Sequence, residues 1–358
     1  MNLRSLTATC TSDFGPGDLF GGFGSVDLLG AHIGGQLNFA AAKLCNNSGP
    51  ALKADSLQVD QNMLLGDGFT AVGAGNPGAV DLSGAHIGGQ LACQDADLRN
   101  DTGPALMADS LQVGQHLYLT MFSAAGGGEG VTVDLTGAQV DGAFTFFPTP
   151  LEHKVDHHQL LSADGMTYAG VPDTTFAGLW RELLRDGTPF YAAQPYQQLA
   201  AGYRARGDDR EARRTLMAQR DDQLTRTRTR WTERWWGKIT KVTLGYGYQP
   251  WRALWFLAAV VAVSCVLAVV LGAHGALAQT SNTATPGRSC TAVQKVSVGL
   301  DLNLPVGTST ARADCDLTSD PASATAAWLT AVGWVLRILA WTFAALFIAG
   351  FTSAVRKT

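Results

Sequence analysis

The sequence predicts a mainly β fold: a β-solenoid at the N-terminal end, then a helical hairpin and two transmembrane α-helices. Three observations predict it. Residues 26–65 recur almost unchanged at 80–119, an offset of 54. A shorter apolar rhythm runs inside each copy. Two long apolar stretches lie in the last third of the chain.

The first copy reads Val26-Asp27-Leu28-Leu29-Gly30-Ala31-His32-Ile33-Gly34-Gly35-Gln36-Leu37, and the second reads Val80-Asp81-Leu82-Ser83-Gly84-Ala85-His86-Ile87-Gly88-Gly89-Gln90-Leu91. Gly49-Pro50-Ala51-Leu52 is matched by Gly103-Pro104-Ala105-Leu106, and Ala54-Asp55-Ser56-Leu57 by Ala108-Asp109-Ser110-Leu111. The inner rhythm runs Ala31-Ile33-Leu37-Phe39, Leu57-Val59-Met63-Leu65, Ala85-Ile87-Leu91-Cys93, Leu111-Val113-Leu117-Leu119 and Ala138-Val140-Phe144-Phe146. The steps between these starts are 26, 28, 26 and 27 residues. All positions in a set share one parity, so they face one side of a strand. Gly and Asn/Asp clusters between them supply corners. The expectation is coils of about 27 residues over 1–147, stacked at about 4.8 Å. The apolar parity fills the tube, and His32, Gln36, His86, Gln90 and His116 face outward. A two-sheet sandwich of duplicated hairpins is the competing arrangement, and the repeated corners favour the solenoid.

Val80-Asp81-Leu82-Ser83-Gly84, Ala85-His86-Ile87-Gly88-Gly89 and Ala96-Asp97-Leu98-Arg99-Asn100 resemble tandem pentapeptide repeats. That resemblance implies a right-handed β-helix. The pentads are interrupted, and the coils are longer than the repeat alone would make. Nearly the whole chain also resembles a group of actinobacterial membrane-associated proteins often labelled oxidoreductase. The residues that carry this are the Ala-His-Ile-Gly-Gly-Gln-Leu blocks, Gln194-Pro195-Tyr196-Gln197-Gln198-Leu199, Gly245-Tyr246-Gly247-Tyr248-Gln249-Pro250-Trp251-Arg252 and Leu300-Asp301-Leu302-Asn303-Leu304-Pro305. The resemblance implies an architecture and carries no catalytic residues with it.

Charge divides the chain. Residues 1–170 hold 5 Lys/Arg against 17 Asp/Glu, a net of −12. Residues 171–250 carry +5 and residues 251–358 carry +3. An acidic solenoid excludes nucleic acid as its partner, because a phosphate backbone demands a positive face. Pro148, Pro150 and Pro172 mark 148–175 as a connector. The hairpin region, 176–225, opens with a helix from Phe176 to Asp186, capped by Thr175 and stopped by Gly187. A second helix runs from Pro195 to Arg206 and ends at Gly207. Asp208 or Asp209 caps a third. Tyr196, Leu199, Ala200, Tyr203, Ala212 and Leu216 give this pair the look of one tetratricopeptide hairpin. Such arrays need about three units to stand alone, so this one is read as a packing element.

Residues 226–250 form a basic juxtamembrane segment. Residues 251–274 are apolar over more than the roughly 20 residues that cross a bilayer, and 326–355 form a second such stretch. Arg226, Arg228, Arg230, Arg234, Lys238 and Lys241 precede the first span, and Arg356 and Lys357 follow the second. The loop between, 275–325, holds only Arg288, Lys295 and Arg312. The excess of flanking Lys/Arg places both termini in the cytoplasm and the loop outside the plasma membrane. Trp231, Trp235 and Trp236, with the basic residues, are expected at the headgroup level, where each cation adds on the order of 1 kcal/mol on an anionic leaflet. Plain topological flanking accounts for the same residues. Residues 1–20 lack the apolar core of a cleaved signal. Arg337 interrupts the second stretch. Either it is an intramembrane charge, or the span is 338–355 and residues 326–337 lie along the outer interface with Arg337 snorkelling.

Cys10, Cys45 and Cys93 are expected in the cytoplasm, at spacings unlike a metal site or a CxxC pair. Cys290 and Cys315 share the outer loop, where a disulfide can form. Cys265 reads as a packing residue of the first span.

Enzyme signals are thin. Gly73-Ala74-Gly75-Asn76-Pro77-Gly78 fits GxGxxG, with Asp95 and Asp97 near the required distance. The stretch after Gly78 has the period of a strand and not of a helix, so the glycines read as a solenoid corner. His32 and His86, two coils apart, would stand roughly 9–10 Å apart, too far to share a zinc. His153, Asp156, His157 and His158 form the densest ligand cluster, in a connector. No cofactor or metal site is expected. The functional expectation is a membrane-anchored scaffold showing a cytoplasmic solenoid face to a protein partner. An oxidoreductase is the alternative implied by the resemblance. A third reading is a channel or sensor, which with two spans per chain requires a homo-oligomer.

Overall fold

The structure, a computed structural model, describes residues 1, 25–128, 130–154, 159–174, 178–227, 231–245, 251–273, 277–279, 290–301, 303, 315–317 and 324–357. They form two compact units, Met1–Arg228 and Thr229–Thr358.

The first unit is a β-solenoid of about five turns followed by three helices. The first coil holds β1 (Val26–Asp27), β2 (His32–Ile33), β3 (Leu37–Asn38) and β4 (Lys43–Cys45). The second holds β5 (Leu52–Lys53), β6 (Gln58–Val59), β7 (Met63–Leu64) and β8 (Thr70–Gly73). The third holds β9 (Val80–Asp81), β10 (His86–Ile87), β11 (Leu91–Ala92) and β12 (Asp97–Asn100). In the fourth, β13 (Leu106–Met107) and β14 (Gln112–Val113) precede a long β15 (Leu117–Gly126). The fifth has β16 (Val133–Asp134) and β17 (Gln139–His153), and the last has β18 (Leu161–Ser162) and β19 (Thr167–Thr174). Strands stack in parallel on their counterparts one coil away. Val26 pairs with Leu52, Leu52 with Val80, Val80 with Leu106, Leu106 with Val133, and Val133 with Leu161.

The apolar rhythm is inward-facing, as expected, but each set spans two strands and not one. In the third coil the four sides bury Val80 and Leu82, Ala85 and Ile87, Leu91 and Cys93, Ala96 and Leu98. The step from Ile87 to Leu91 is an even number of residues, so parity survives the corner and alternation alone cannot reveal it. Gly88 and Gly89 make that corner. A Cβ on Gly88 would lie 2.5 Å from the Asp60 carbonyl, and one on Gly114 would lie 2.5 Å from the Gly88 carbonyl. Gly88 and Gly89 are therefore a stacking requirement, whereas Gly34 and Gly35 of the first coil meet nothing closer than 3.7 Å. A second corner needs left-handed backbone at every rung, and Gly30, Ser56, Gly84, Ser110, Gly137 and Gly165 all adopt positive φ there. The Gly-Pro blocks have a matching cause. Asn46 donates to the Pro50 carbonyl at 2.9 Å, and Asn100 donates to the Pro104 carbonyl at 2.9 Å.

The expected connector, 148–175, contains solenoid instead. β17 runs through Pro148 and Pro150, and β19 through Pro172. A proline lacks the N–H a ladder needs, so it is tolerated where the ladder is irregular or at an edge. Pro148 pairs with Phe122 at a register shift, and β19 pairs with β17 alone.

The three helices are α1 (Leu179–Asp186), α2 (Gln194–Ala205) and α3 (Asp209–Arg226). The α3 N-cap is Asp208, whose carboxylate accepts from the Glu211 N–H at 3.0 Å. Thr175 and Phe176 lie outside the described residues. The helices seal the last coil. Trp180 of α1 packs edge-on against Phe144 and Phe146, at centroid distances of 5.2 and 5.6 Å. Gln194 and Gln198 donate to the carbonyls of Met166 and Tyr168 at 2.8 and 2.7 Å, and Arg206 donates to that of Val171 at 3.1 Å. Side chains thus satisfy carbonyls that another coil would otherwise take up. Gly202 allows the approach, since a Cβ there would lie 1.9 Å from the Gly170 oxygen.

The second unit holds α4 (Trp231–Leu244), α5 (Trp251–Ala273), β20 (Leu277–Gln279), α6 (Ala292–Asp301), β21 (Cys315–Leu317) and α7 (Ala324–Lys357). β20 and β21 pair antiparallel. Segments Trp251–Val270 and Ala331–Ala349 are long and apolar enough to cross a membrane. α7 runs unbroken through Arg337, and its apolar window begins before that residue. No break separates an interfacial segment 326–337 from a span 338–355.

Candidate interaction surfaces

The corner after the first side of each coil carries one column of outward positions: Leu29, Asp55, Ser83, Asp109, Thr136 and Asp164. Ladder hydrogen bonds fix its order. The residue after each position donates its N–H to the next member's carbonyl: Gly30 to Asp55, Ser56 to Ser83, Gly84 to Asp109, Ser110 to Thr136 and Gly137 to Asp164, at 2.8 to 2.9 Å. Carboxylates occupy every second rung from the second coil to the last, with hydroxyls between. Asp109 and Asp164 are exposed and Asp55 is partly so.

At its last rung the column opens into a cleft of about 210 Å³. Thr136, Ser162 and Asp164 line one wall; Phe190, Tyr191 and Tyr196 line the other. The Thr136 and Ser162 hydroxyls are 2.7 Å apart. Phe190 is 81% exposed. The loop that carries Phe190 is held from behind. Thr188 donates to the Leu184 carbonyl at 2.8 Å, and Arg226 donates to the Thr188 carbonyl at 2.8 Å while pairing with Asp222 at 2.8 Å. Tyr196 donates to Asp222 at 3.1 Å. Burial, with Asp222 alongside, pushes the Tyr196 phenol far above its ordinary range. Burial also raises the Asp222 carboxyl, against the pull of Arg226. This backing is a neutral hydroxyl, a carboxylate and a guanidinium, rigid and spent on each other. Small-molecule sites typically enclose roughly 300–1,000 Å³, so this cleft suits one side chain of a larger partner.

The sequence does not single out this column, although Ala54-Asp55-Ser56, Ala108-Asp109-Ser110 and Ala163-Asp164-Gly165 are its visible trace. The residues it does single out fall elsewhere. His32 and His86 face outward in one column with Gln58 between them, as expected. His32 lies 2.8 Å from Asp60 and His86 lies 3.2 Å from Gln112. Gly73–Gly78 is a corner leading into β9. Its Gly75 N–H donates to Thr102 at 2.7 Å, and its Gly75 carbonyl accepts from Asn100 at 2.7 Å. Asp156, His157 and His158, and the His153 side chain, lie outside the described residues. Among the described residues no group of three or more His, Cys, Asp or Glu could hold a metal.

Of the basic and aromatic set, Arg226 belongs to the first unit and pairs with Asp222. Arg228 and Arg230 lie outside the described residues, as do the side chains of Arg234, Trp236 and Lys241. Trp231, Trp235 and Ile239 recur every fourth residue of α4 and are all exposed, the first two by 73% and 61%. The Lys238 ammonium lies 5.7 Å from the centre of the Trp235 ring. Cys45 and Cys290 are each disulfide-bonded, and Cys93 and Cys265 are free. The Cys315 side chain lies outside the described residues.

Fold and surfaces together define a class: a capped, acidic β-solenoid whose chain continues into two helices of membrane-spanning length. No family model, curated protein or solved structure matches it.

Proposed function

We propose that the chain is a membrane-anchored docking protein whose solenoid binds an extended, basic segment of a protein partner along the Asp55–Asp109–Asp164 column. The supporting observation is the spacing of that column. Two coils rise about 9.4–9.8 Å, given the spacing of neighbouring strands. A polyproline II segment turns once every three residues and about 9.3 Å. Lys or Arg at every third residue of such a segment would meet a carboxylate at each turn, and the last could enter the cleft beside Asp164. Three rim pairs give modest affinity, so the aromatic cleft is the anchor. α5 and α7 hold the protein in the plasma membrane. α4 lies at the headgroups through Trp231, Trp235 and Lys238. The basic flanks favour both termini on the cytoplasmic side, whereas the Cys45 disulfide favours an oxidising one.

The test uses the full-length protein in lipid nanodiscs and three fluorescent proline-rich peptides. They share one composition and carry three lysines spaced by two, three or four residues. The three-residue spacing should bind tightest, with affinity falling as salt rises. Asp109→Asn should weaken it about two- to five-fold, and Asp164→Asn with Phe190→Ala about ten-fold or more. Asp141→Asn, on another side, should change nothing. Equal binding by all three spacings would reject the column. A stoichiometric flavin, haem or nicotinamide on the purified protein would instead favour an oxidoreductase.

A further inference from the structure

The loop between the two spans is expected to lie outside the membrane, yet its helix α6 packs halfway down α5. Gly299 is seated so closely that a Cβ would lie 2.6 Å from the Cys265 Cα. The Ser264 hydroxyl lies 3.2 Å from the Asn303 side-chain oxygen, and Asn303 is buried. Leu300 and Asn303 share a cleft with Leu257 and Val261 of α5. These α5 residues sit in the middle of Trp251–Val270, the segment able to cross a membrane. α6 has 10 residues. At 1.5 Å each it is about 15 Å long, half the roughly 30 Å hydrocarbon core.

Two more observations agree. α6 is divided lengthwise. Val293, Val296 and Leu300 form an exposed apolar stripe, whereas Gln294, Ser297 and Asp301 form the polar one. An exposed apolar stripe is favourable against lipid and not against water. Arg337 also falls at the level where α6 ends. Phe256 of α5 stacks on Phe343 of α7 at 5.4 Å. As consecutive spans the helices run antiparallel, so Arg337 is level with Ala262. An ionisable group at that depth requires polar company.

We infer that α6 re-enters the bilayer as a half-helix from the side carrying β20 and β21. Its Val293, Val296 and Leu300 stripe faces lipid. Its polar stripe, with Gln294 and Ser297, gives water access from that side toward mid-membrane. This rests on α5 and α7 crossing the membrane.

Single cysteines in a background with all six native cysteines replaced by alanine, in nanodiscs, test it. Ser297→Cys probes the polar stripe, Val296→Cys the apolar stripe, Val263→Cys the outer face of α5, and Gln279→Cys a position beyond the end of Trp251–Val270. Each is treated with a small charged thiosulfonate. Each is then labelled with a fluorophore and quenched by lipids spin-labelled at the headgroup or at mid-chain. Ser297→Cys should react within about 100-fold of the rate at Gln279→Cys, while Val296→Cys and Val263→Cys should be inert. A fluorophore at position 296 should be quenched from mid-chain, like one at 263. Quenching at 296 from the headgroup alone would place α6 at the surface and overturn the inference. An inert Ser297→Cys would remove the water access. A reactive Val263→Cys would show that α5 itself does not span, and would overturn both readings.

Discussion

Removing the Trp180 side chain should open the solenoid from one end. Trp180 is 3% exposed and packs on Phe144, Phe146 and Tyr168, with ring centroids 5.2, 5.6 and 6.4 Å away. Burial of this size lost from a close-packed site costs about 3–5 kcal/mol for Trp→Ala. For a unit the length of Met1–Arg228, each kcal/mol lowers Tm by about 2–4 °C, so the shift should be roughly 6–20 °C. The distribution matters more than the total. In a stacked array each coil touches only its neighbours, so lost end-capping should fray the last coils first. Hydrogen exchange followed by mass spectrometry should show faster exchange in β18 and β19, a smaller change in β16 and β17, and none from β1 to β8. Thermal unfolding monitored by circular dichroism gives the overall shift. A uniform rise along the solenoid, or a Tm within about 1 °C of wild type, would refute the assignment of α1 as a cap.

Three further perturbations touch the cap, the core and the orientation. Gly202→Leu cannot be placed 1.9 Å from the Gly170 oxygen without moving α2 off β19. It should break the bonds from Gln194, Gln198 and Arg206, cost about 3 kcal/mol at about 1 kcal/mol each, and raise exchange in β19; an unchanged Tm would count against it. Burial pushes the Cys93 thiol up to about 12. A raised folded value means the stabilisation is whole below the ordinary thiol pKa near 8.5 and is lost as pH climbs toward 12. Wild type should therefore lose Tm more steeply than Cys93→Ala between pH 9 and 11, and Cys93 should resist iodoacetamide until the solenoid unfolds. Cys45 is disulfide-bonded, an arrangement at odds with the reducing cytoplasm. If the solenoid is cytoplasmic, Cys45 should be alkylated when cells are lysed into iodoacetamide without reductant. Protection until reductant is added would put the solenoid on the opposite side.

The solenoid was legible because a stacked coil imposes a period, and apolar parity survives every corner. Corner positions were less so. Ile87 to Leu91 reads as one strand because nothing in alternation distinguishes a straight step from a turned one, and only Gly88 and Gly89 betray it. Pro172 misled because a proline inside a strand is read as a break, whereas at the edge coil its missing N–H costs nothing. The acidic column was hidden for a different reason. Asp55, Asp109 and Asp164 lie 54 and 55 residues apart, and they become a surface only when the intervening coils are wound. The seat of α6 against α5 was equally hidden. Lys295 and Asp301 keep its hydropathy low, and only the seat of Gly299 on Cys265 reveals where it lies.

The 54-residue duplication has a physical consequence on that column. Each coil repeats the corner, but the duplicated unit is two coils, so the column alternates: Asp55, Ser83, Asp109, Thr136, Asp164. Carboxylates on adjacent rungs about 4.8 Å apart would repel by about 0.9 kcal/mol per pair even at the dielectric of water, and those on alternate rungs by about 0.4 kcal/mol. The wider spacing also matches the screening length at physiological salt, about 8 Å, beyond which exposed charges scarcely feel one another. The hydroxyl rungs therefore let a stack stay acidic along its length without self-repulsion adding up from coil to coil. On the proposed docking they also set the pitch at which an opposite charge must return. A period of one coil would ask a partner for a charge about every 4.8 Å, between one and two residues of extended chain. An extended strand does not present that spacing on one face, since its like-facing residues recur about every 6.6–6.8 Å. Two coils ask for one every third residue, which the polyproline II helix does present.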